Sequence, residues 1–465
     1  MCCQPGVVLT HTHTHSHNPS VQKSSVFRRS LKKSFPSAVR GEGVYIWDAD
    51  GNKYLDFSGS AAVNFIGHGV ADISDAMAEQ AKQLEFAHTS QFTTPIAEQY
   101  AQELLDFAGK NFAEGAAYFT SGGSEAIETA LKLARQYQVE VGQPKRYQIL
   151  SRTQSYHGST LGALSVSGNK RRREIYLPMV REFAHIGIPY CYRCNHDCKD
   201  GCRNCGQEYA AELDQAVKAS DGQAAAFIFE PVSGATLGAV TPPPGYLQSI
   251  AEICQRHGIL LIADEVMTGM GRTGKNFAIE HYNISPDILV TAKGLSSGYA
   301  PLGAVIASKK VVEAIASGSG AFLHGFTYNA HAIALAAGRA VLPLVKNLVA
   351  SANSEQPNTI AAKLHKSLNE LQGLKTVGDA RGIGLLMGIE FVQDKSTKQP
   401  FDPKQNFAGR VGQAAAKRGL LVYPMQGCVD GTSGDHLLIA PPAIITPDQV
   451  DWATAQLAQA IEETN

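Results

Sequence analysis

The stretch Asp287-Ile-Leu-Val-Thr-Ala-Lys293-Gly-Leu-Ser-Ser-Gly-Tyr-Ala-Pro-Leu-Gly303 joins a short apolar run to a loop of glycine and serine. The run around Leu289 and Val290 predicts a buried strand, and the segment after it a loop at the strand's carboxyl end. Lys293 falls where the two meet. At the edge of a core, desolvation lowers a lysine's pKa and favours the neutral amine, a nucleophile able to condense with a carbonyl. A lysine so placed can equally snorkel to the surface. Its meaning depends on what the chain sets beside it.

The surrounding sequence has the same grammar. Short alternating runs around Asp50-Gly51 predict a hairpin, and beyond it strand-like and helix-like segments alternate to about residue 345. Candidate strands are Arg146 to Leu150, Ala224 to Phe229, Ile259 to Ala263 and Asp287 to Thr291. Three are nearly continuous apolar runs, as expected of strands covered on both faces of a mainly parallel sheet. Helical spacing lies between them, as at Ile127, Ala130, Leu131 and Ala134. This is an α/β pattern, in which ligands collect at the carboxyl ends of strands. After about residue 345, a helix-rich stretch and the segment Gly384 to Phe391 predict a smaller α+β domain.

Composition narrows the function classes. The chain has 465 residues, 44% hydrophobic and 18% charged, which is ordinary for a globular protein of more than one domain. With 41 Lys+Arg against 42 Asp+Glu, the balance argues against a nucleic-acid partner. No uninterrupted apolar run reaches bilayer length, which argues against a membrane role. The first forty residues lack Asp and Glu and carry the run His11-Thr-His13-Thr-His15-Ser-His17. They read as a disordered tail; an acid-poor start can also be a transit peptide. The expected location is therefore cytoplasmic, with mitochondrial import the alternative.

Four features fall just after the predicted strands. Asp264 follows Ile259 to Ala263, where a carboxylate is costly without a cationic partner. A pyridinium nitrogen would be one, and holding it protonated is how a protein turns pyridoxal phosphate into an electron sink; a turn-capping Asp is the plain alternative. Thr120-Ser121-Gly122-Gly123-Ser124-Glu125 precedes a helix over Ala126 to Arg135, and its glycines, free N–H groups and hydroxyl suit a phosphate. An ordinary cap with Ser124 and Glu128 fits the same residues. Tyr156-His157-Gly158 sets an aromatic where it can stack on a planar ring, and Glu230-Pro231 adds an acid. Together they point to pyridoxal phosphate far more strongly than any one alone.

On these residues the chain resembles the class III (ω-type, subgroup II) aminotransferases that use pyridoxal phosphate and have fold type I. The matching segments are Tyr54-Leu-Asp56-Phe, Ser121-Gly-Gly-Ser-Glu-Ala126, Tyr156-His-Gly158, Glu230-Pro231, Asp264-Glu-Val266, Gly271-Arg-Thr-Gly274, Thr291-Ala-Lys293-Gly, His324-Gly-Phe-Thr327 and Arg381-Gly-Ile-Gly384. The resemblance implies a tail over 1–40, a small-domain portion over 41–90, a large cofactor-binding domain over 91–345 and a C-terminal small domain over 346–465. It implies that Lys293 forms the Schiff base and carries the proton, and that Asp264 pairs with the pyridine nitrogen. Val266 and Tyr156 would cover the two ring faces, Gly123 and Ser124 would bind the phosphate, and His157 and Glu230 would complete the cofactor site. Thr327 would reach the cofactor of a neighbouring subunit, so a homodimer or a dimer of dimers is expected. The partners are an amine donor and an oxo-acid acceptor. A racemase or epimerase of the same fold is the rival reading.

Two departures bear on substrate and structure. Where many relatives that use 2-oxoglutarate carry an arginine and a glutamate that swing against each other, this chain has Leu438 and Ala235. Losing both together is coherent, since either alone would be a costly buried charge. With Gly434-Asp435-His436, this favours pyruvate or glyoxylate as acceptor, with an ω-amino acid or amine resembling 4-aminobutyrate or β-alanine as donor. Arg181, or an arginine of the partner, would remain to hold a carboxylate. The second departure is the insert over about 189–206, which holds five of the nine cysteines. Its pairs Cys191/Cys194 and Cys202/Cys205 have zinc-like spacing, with His196 a further candidate ligand. A disulfide-linked or simply reduced insert fits the same pattern.

Overall fold

The computed structural model describes residues 24–194, 196, 202 and 205–465. The His11–His17 run, Cys2, Cys3 and Cys198 lie outside these. A seven-stranded sheet forms the centre, in the order Ala116–Thr120, Gly303–Ala307, Ile288–Thr291, Leu260–Asp264, Ala224–Phe229, Gln148–Arg152, His185–Ile186. Only Gly303–Ala307 runs against its two neighbours; the other pairs are parallel. Every residue of Ala224–Phe229, Leu260–Asp264 and Ile288–Thr291 is buried, which is why these runs show no alternation. The expected strand Arg146 to Leu150 lies slightly later, at Gln148–Arg152.

Two smaller sheets flank this one. Ala38–Glu42, Tyr45–Asp48 and Lys53–Asp56 form a meander, which Leu420–Leu421 joins in parallel. The expected hairpin is present, with Gly51 at φ +84° in its turn. Strand pairing beginning at Ala38 shortens the expected tail, because Ala38, Val39 and Arg40 belong to the sheet. The other sheet orders Val377–Ile383, Leu386–Phe391, Asp435–Ile439 and Tyr423–Gln426, all antiparallel.

The helix Ala332–Leu348 and its continuation to Ala352 are long and apolar enough to cross a membrane by composition, which the sequence reading did not anticipate. Half of that apolar window is buried in the protein. A Cβ on Gly338 would lie 2.7 Å from Leu302 and 2.8 Å from Tyr100, so the helix sits tight against the core.

Arg272 ties the sheets together. Its guanidinium is buried, donating to Ala440 O (3.0 Å), Pro441 O (2.6 Å) and Asn64 O (2.9 Å), and it lies over the Phe65 ring. Charge-assisted bonds of this kind are strong, and each carbonyl left without its donor is costly. Arg272→Met should destabilise the fold by roughly 3 kcal/mol, visible as a lower Tm. An unchanged Tm would contradict this account.

Candidate active site

Lys293 stands at the end of Ile288–Thr291 with φ +44°, a left-handed conformation unusual for a lysine. The loop after it is tied down on both sides. Ser297 Oγ accepts from Phe65 N (2.8 Å) and Ile66 N (3.2 Å). Tyr299 Oη accepts from Val70 N (2.8 Å) and donates to Gly67 O (3.0 Å), and Tyr100 Oη donates to Leu295 O. These contacts over-determine the turn and hold the lysine's strained backbone in place.

The side chain enters a cavity of about 480 Å³ lined by Gly123, Ser124, Tyr156, Asp264 and Val266 among others. His157 and Glu230 line it too. Burial lowers the pKa of Lys293 from its usual value; Asp264 and Glu230 pull it back up, and Arg172 pushes it down. Burial also raises the pKa of Glu230, whose carboxylate accepts from Gly234 N (3.0 Å) and Tyr156 N (3.3 Å).

Asp264 is held from two sides. Its Oδ1 accepts from Val266 N (3.1 Å), and its Oδ2 lies 2.7 Å from His157 Nδ1. The resemblance assigned His157 to the cofactor; the structure adds that it is the aspartate's partner. Such a pair fixes both the carboxylate and the imidazole tautomer, with the Nδ1 proton directed at Asp264. The neighbouring Glu265 was passed over in the sequence. Its carboxyl is buried, receives Ile279 N (2.8 Å) and Thr268 Oγ1, and is pushed up to about 7 by burial. It holds the turn below the strand end.

The helix beneath the cavity runs Gly123–Glu140, beginning three residues before the expected Ala126. Gly122 precedes it with no side-chain cap. The capping alternative is therefore set aside: Ser124 is inside the helix, and Glu128 Oε1 instead accepts from Ala163 N (3.0 Å). Ser124 Oγ accepts from Ser159 N (3.1 Å), leaving its own proton available to an anion. A Cβ on Gly123 would come within 3.1 Å of Val266 Cγ1, and one on Gly158 within 2.7 Å of Ser124 Oγ. Bare backbone is needed at both positions to keep the cradle open. A helix N-terminus with bare glycine backbone, an aromatic ring, a paired carboxylate and a lysine whose pKa burial lowers, all lining one cavity, together fit pyridoxal phosphate.

Other expectations meet the structure unevenly. Ala235 lines the cavity. Leu438 does not, but packs behind it in an apolar cluster with Ala62, Val232, Ala235 and Leu386. Arg181 is not at the site: it stacks on Tyr147 (4.4 Å) and opens onto a separate surface hollow, so it is not the carboxylate holder suggested for it. Thr327 is exposed and does not line this cavity. Val63, Val232, Met267, Ala300, Pro301 and Leu302 also line the cavity, and apolar residues in loops gave no sequence signal for that role.

Comparison with known proteins agrees with this geometry. The Aminotransferase class-III family profile matches residues 27–461. The chain is 41% identical over 434 residues to the "Uncharacterized aminotransferase YodT" of Bacillus subtilis (strain 168), covering 92% of this chain and 95% of the relative. It is 35% identical to "Gamma aminobutyrate transaminase 3, chloroplastic" of Solanum lycopersicum, covering 91% of this chain and 80% of that one. Its fold is similar to the crystal structure of a thermostable (S)-enantioselective omega-transaminase from Thermomicrobium roseum, with TM-score 0.85, 35% identity, and coverage of 93% and 94%. The chain belongs to the class III aminotransferases and has their fold type I architecture. It is an aminotransferase, and its family implies pyridoxal phosphate as cofactor.

Two outcomes test the site. Lys293→Ala should reduce transamination at least ~100-fold while the protein still retains cofactor through the cradle and ring contacts. Wild-type turnover in that variant would refute the assignment. His157→Ala should cut kcat by at least about tenfold and weaken cofactor retention, whereas a merely structural histidine would lower Tm and leave kcat intact.

Buried His436 supplies a pH test. Its Nε2 lies 2.7 Å from Ala235 O, and burial pushes its pKa down to about 4. The unfolded chain binds this proton near 6.5. The stabilisation is therefore complete above about pH 6.5 and lost as pH falls through about 4, on the order of 3 kcal/mol in all. His436→Gln should flatten the fall of Tm across that window, and an unaltered profile would sink the assignment.

Proposed function

We propose that this aminotransferase moves nitrogen from an ω-amino acid or amine to a small oxo acid, pyruvate or glyoxylate, in preference to 2-oxoglutarate. The observation that carries the reading is the character of the cavity wall. Among the described residues lining it, Lys293 is the only lysine or arginine. Ala235, backed by Leu438, sets an apolar surface where a charged switch would stand. A second carboxylate on the acceptor would have to be desolvated against that surface, with Arg172, over the Tyr156 ring, the cation that acts on the cavity from outside its lining. The similarity to a gamma aminobutyrate transaminase and an omega-transaminase supports the donor class.

Pyridoxal phosphate, when bound, supplies an aldehyde carbon that captures amines and a conjugated ring that withdraws electrons. The chain does the rest. Gly123, Ser124 and the first turn of Gly123–Glu140 would hold the phosphate at a helix N-terminus. Tyr156 and Val266 would confine the ring, and Asp264, oriented by His157, would supply negative charge to the ring nitrogen. Lys293, as the neutral amine that burial favours, takes the proton from the substrate carbon bearing the departing nitrogen. Glu230 fixes the Tyr156 backbone.

Thr327 acts across a dimer in this reading. It sits on an exposed segment with Leu323 (81% exposed) and Tyr328 (60% exposed), an apolar surface suited to a second copy of the chain.

A donor-by-acceptor panel tests the proposal. 4-Aminobutyrate, β-alanine, diamines and ornithine would be paired with pyruvate, glyoxylate and 2-oxoglutarate, and the keto product quantified. The expected result is transfer to pyruvate or glyoxylate with kcat/KM at least about tenfold above that for 2-oxoglutarate. Preference for 2-oxoglutarate would overturn the acceptor assignment, and inversion of configuration without net nitrogen transfer would favour an isomerase.

A further inference from the structure

The cysteine-bearing segment takes no part in the chemistry described above, yet it is built with care. Cys191 opens the short turn Cys191–Arg193, and Cys194 N closes it on Cys191 O at 3.3 Å. Cys202 adopts φ +64°, and Cys205 begins the helix Cys205–Ala219. Cys202 Sγ lies 3.7 Å from Cys191 O. The Sγ atoms of Cys191, Cys202 and Cys205 all lie within 4.8 Å of one another, with Cys202 and Cys205 buried and Cys191 half-buried. Cys194 Sγ lies 3.5 Å from Tyr209 Oη, on the same helix as Cys205.

We propose that Cys191, Cys194, Cys202 and Cys205 hold a structural zinc ion. Zinc–sulfur bonds of about 2.3 Å in a tetrahedron put neighbouring sulfurs about 3.8 Å apart, so the three clustered thiols need close by only about 1 Å. Paired Cys-x-x-Cys turns supply four sulfurs, the full set for a closed structural site. A disulfide could use only two of the three clustered sulfurs and would leave the third crowded against it. On binding, each thiol gives its proton to solvent as its sulfur–zinc bond forms, with no change in oxidation state. His196 Nδ1 pairs with Glu208 at 2.9 Å, and the four cysteines fill a tetrahedral set without it.

The site has a mechanical purpose in the fold. Arg193 Nε reaches Glu390 at 2.6 Å, and Tyr190 Oη also bonds that carboxylate. Glu390 in turn receives Arg381 Nη1 at 2.8 Å, and Arg381 donates to Leu237 O and Gly238 O. Those two carbonyls belong to the turn that carries Ala235 on the cavity wall. A zinc ion joining the Cys191 turn to the Cys205–Ala219 helix would anchor this chain of contacts at its outer end.

The test is metal content of the full-length, cofactor-loaded enzyme, purified without metal-affinity resin from zinc-supplemented cells and dialysed. Plasma mass spectrometry should find about one zinc per chain. Cys202→Ser and Cys205→Ser should lose it and melt at lower temperature, while Cys254→Ser, whose thiol is buried elsewhere, should keep it. Should the variants fail to fold, cobalt(II) exchanged into the wild-type enzyme decides, through the visible bands of tetrahedral thiolate coordination. Wild-type enzyme that carries no stoichiometric zinc and takes up neither zinc(II) nor cobalt(II) after chelation would overturn the proposal. So would full zinc retention in both serine variants, or a disulfide among these cysteines in the native protein.

Discussion

Half-buried Lys293 meets the buried carboxylates of Asp264 and Glu230 at the carboxyl edge of the seven-stranded sheet, and each constrains the others. A lone charge there would be expelled or neutralised. Placed together, the carboxylates moderate the fall in the lysine's pKa, and His157 satisfies the aspartate. What surrounds them follows from that compensation. The strands must be apolar on both faces to bury the site. The loops must be bonded firmly enough to keep a left-handed lysine in place, which Ser297 and Tyr299 accomplish. The cradle must be glycine, because any Cβ would meet Val266 or Ser124.

The charged groups of the site and the deeper backing of its apolar wall come from different parts of the chain. Lysine, aspartate, glutamate and phosphate cradle stand on the large sheet and the helix Gly123–Glu140. The apolar wall draws on the Ala235 turn and, behind it, on Leu438 from the strand Asp435–Ile439. Arg272 and Arg381 hold these pieces together, and both act on backbone carbonyls. Two guanidiniums, that of Arg272 buried and that of Arg381 partly so, thus brace the apolar wall formed around Ala235 and Leu438.

Much of this was legible in the sequence, for reasons that can be named. Unbroken apolar runs announced Ala224–Phe229, Leu260–Asp264 and Ile288–Thr291, because strands buried on both faces have no alternation to hide. Lys293 and Asp264 stood out because they close such runs, Tyr156 because it follows the Ile149-Leu150 strand, and Gly123 because glycines before a helix are distinctive. Pairing across space was not legible. Nothing local announces that His157 reaches Asp264 across 107 positions, that Arg272 spans to Ala440, or that Arg181 turns to Tyr147. The helix start at Gly123 was missed because small residues carry no periodicity, and Glu128 looked like a cap although it serves Ala163.

The parallel pairing of Lys53–Asp56 with Leu420–Leu421 brings the two ends of the chain into a single sheet. The seven-stranded core is therefore enclosed in sequence between two halves of another structural unit. A ribosome releasing this protein must finish nearly the whole chain before that outer unit can close, while the catalytic sheet, whose strands all lie between Ala116 and Ala307, is already complete. Of the cavity's described lining, Val63 alone comes from outside that span, so the outer unit closes over a pocket whose other walls already belong to the core.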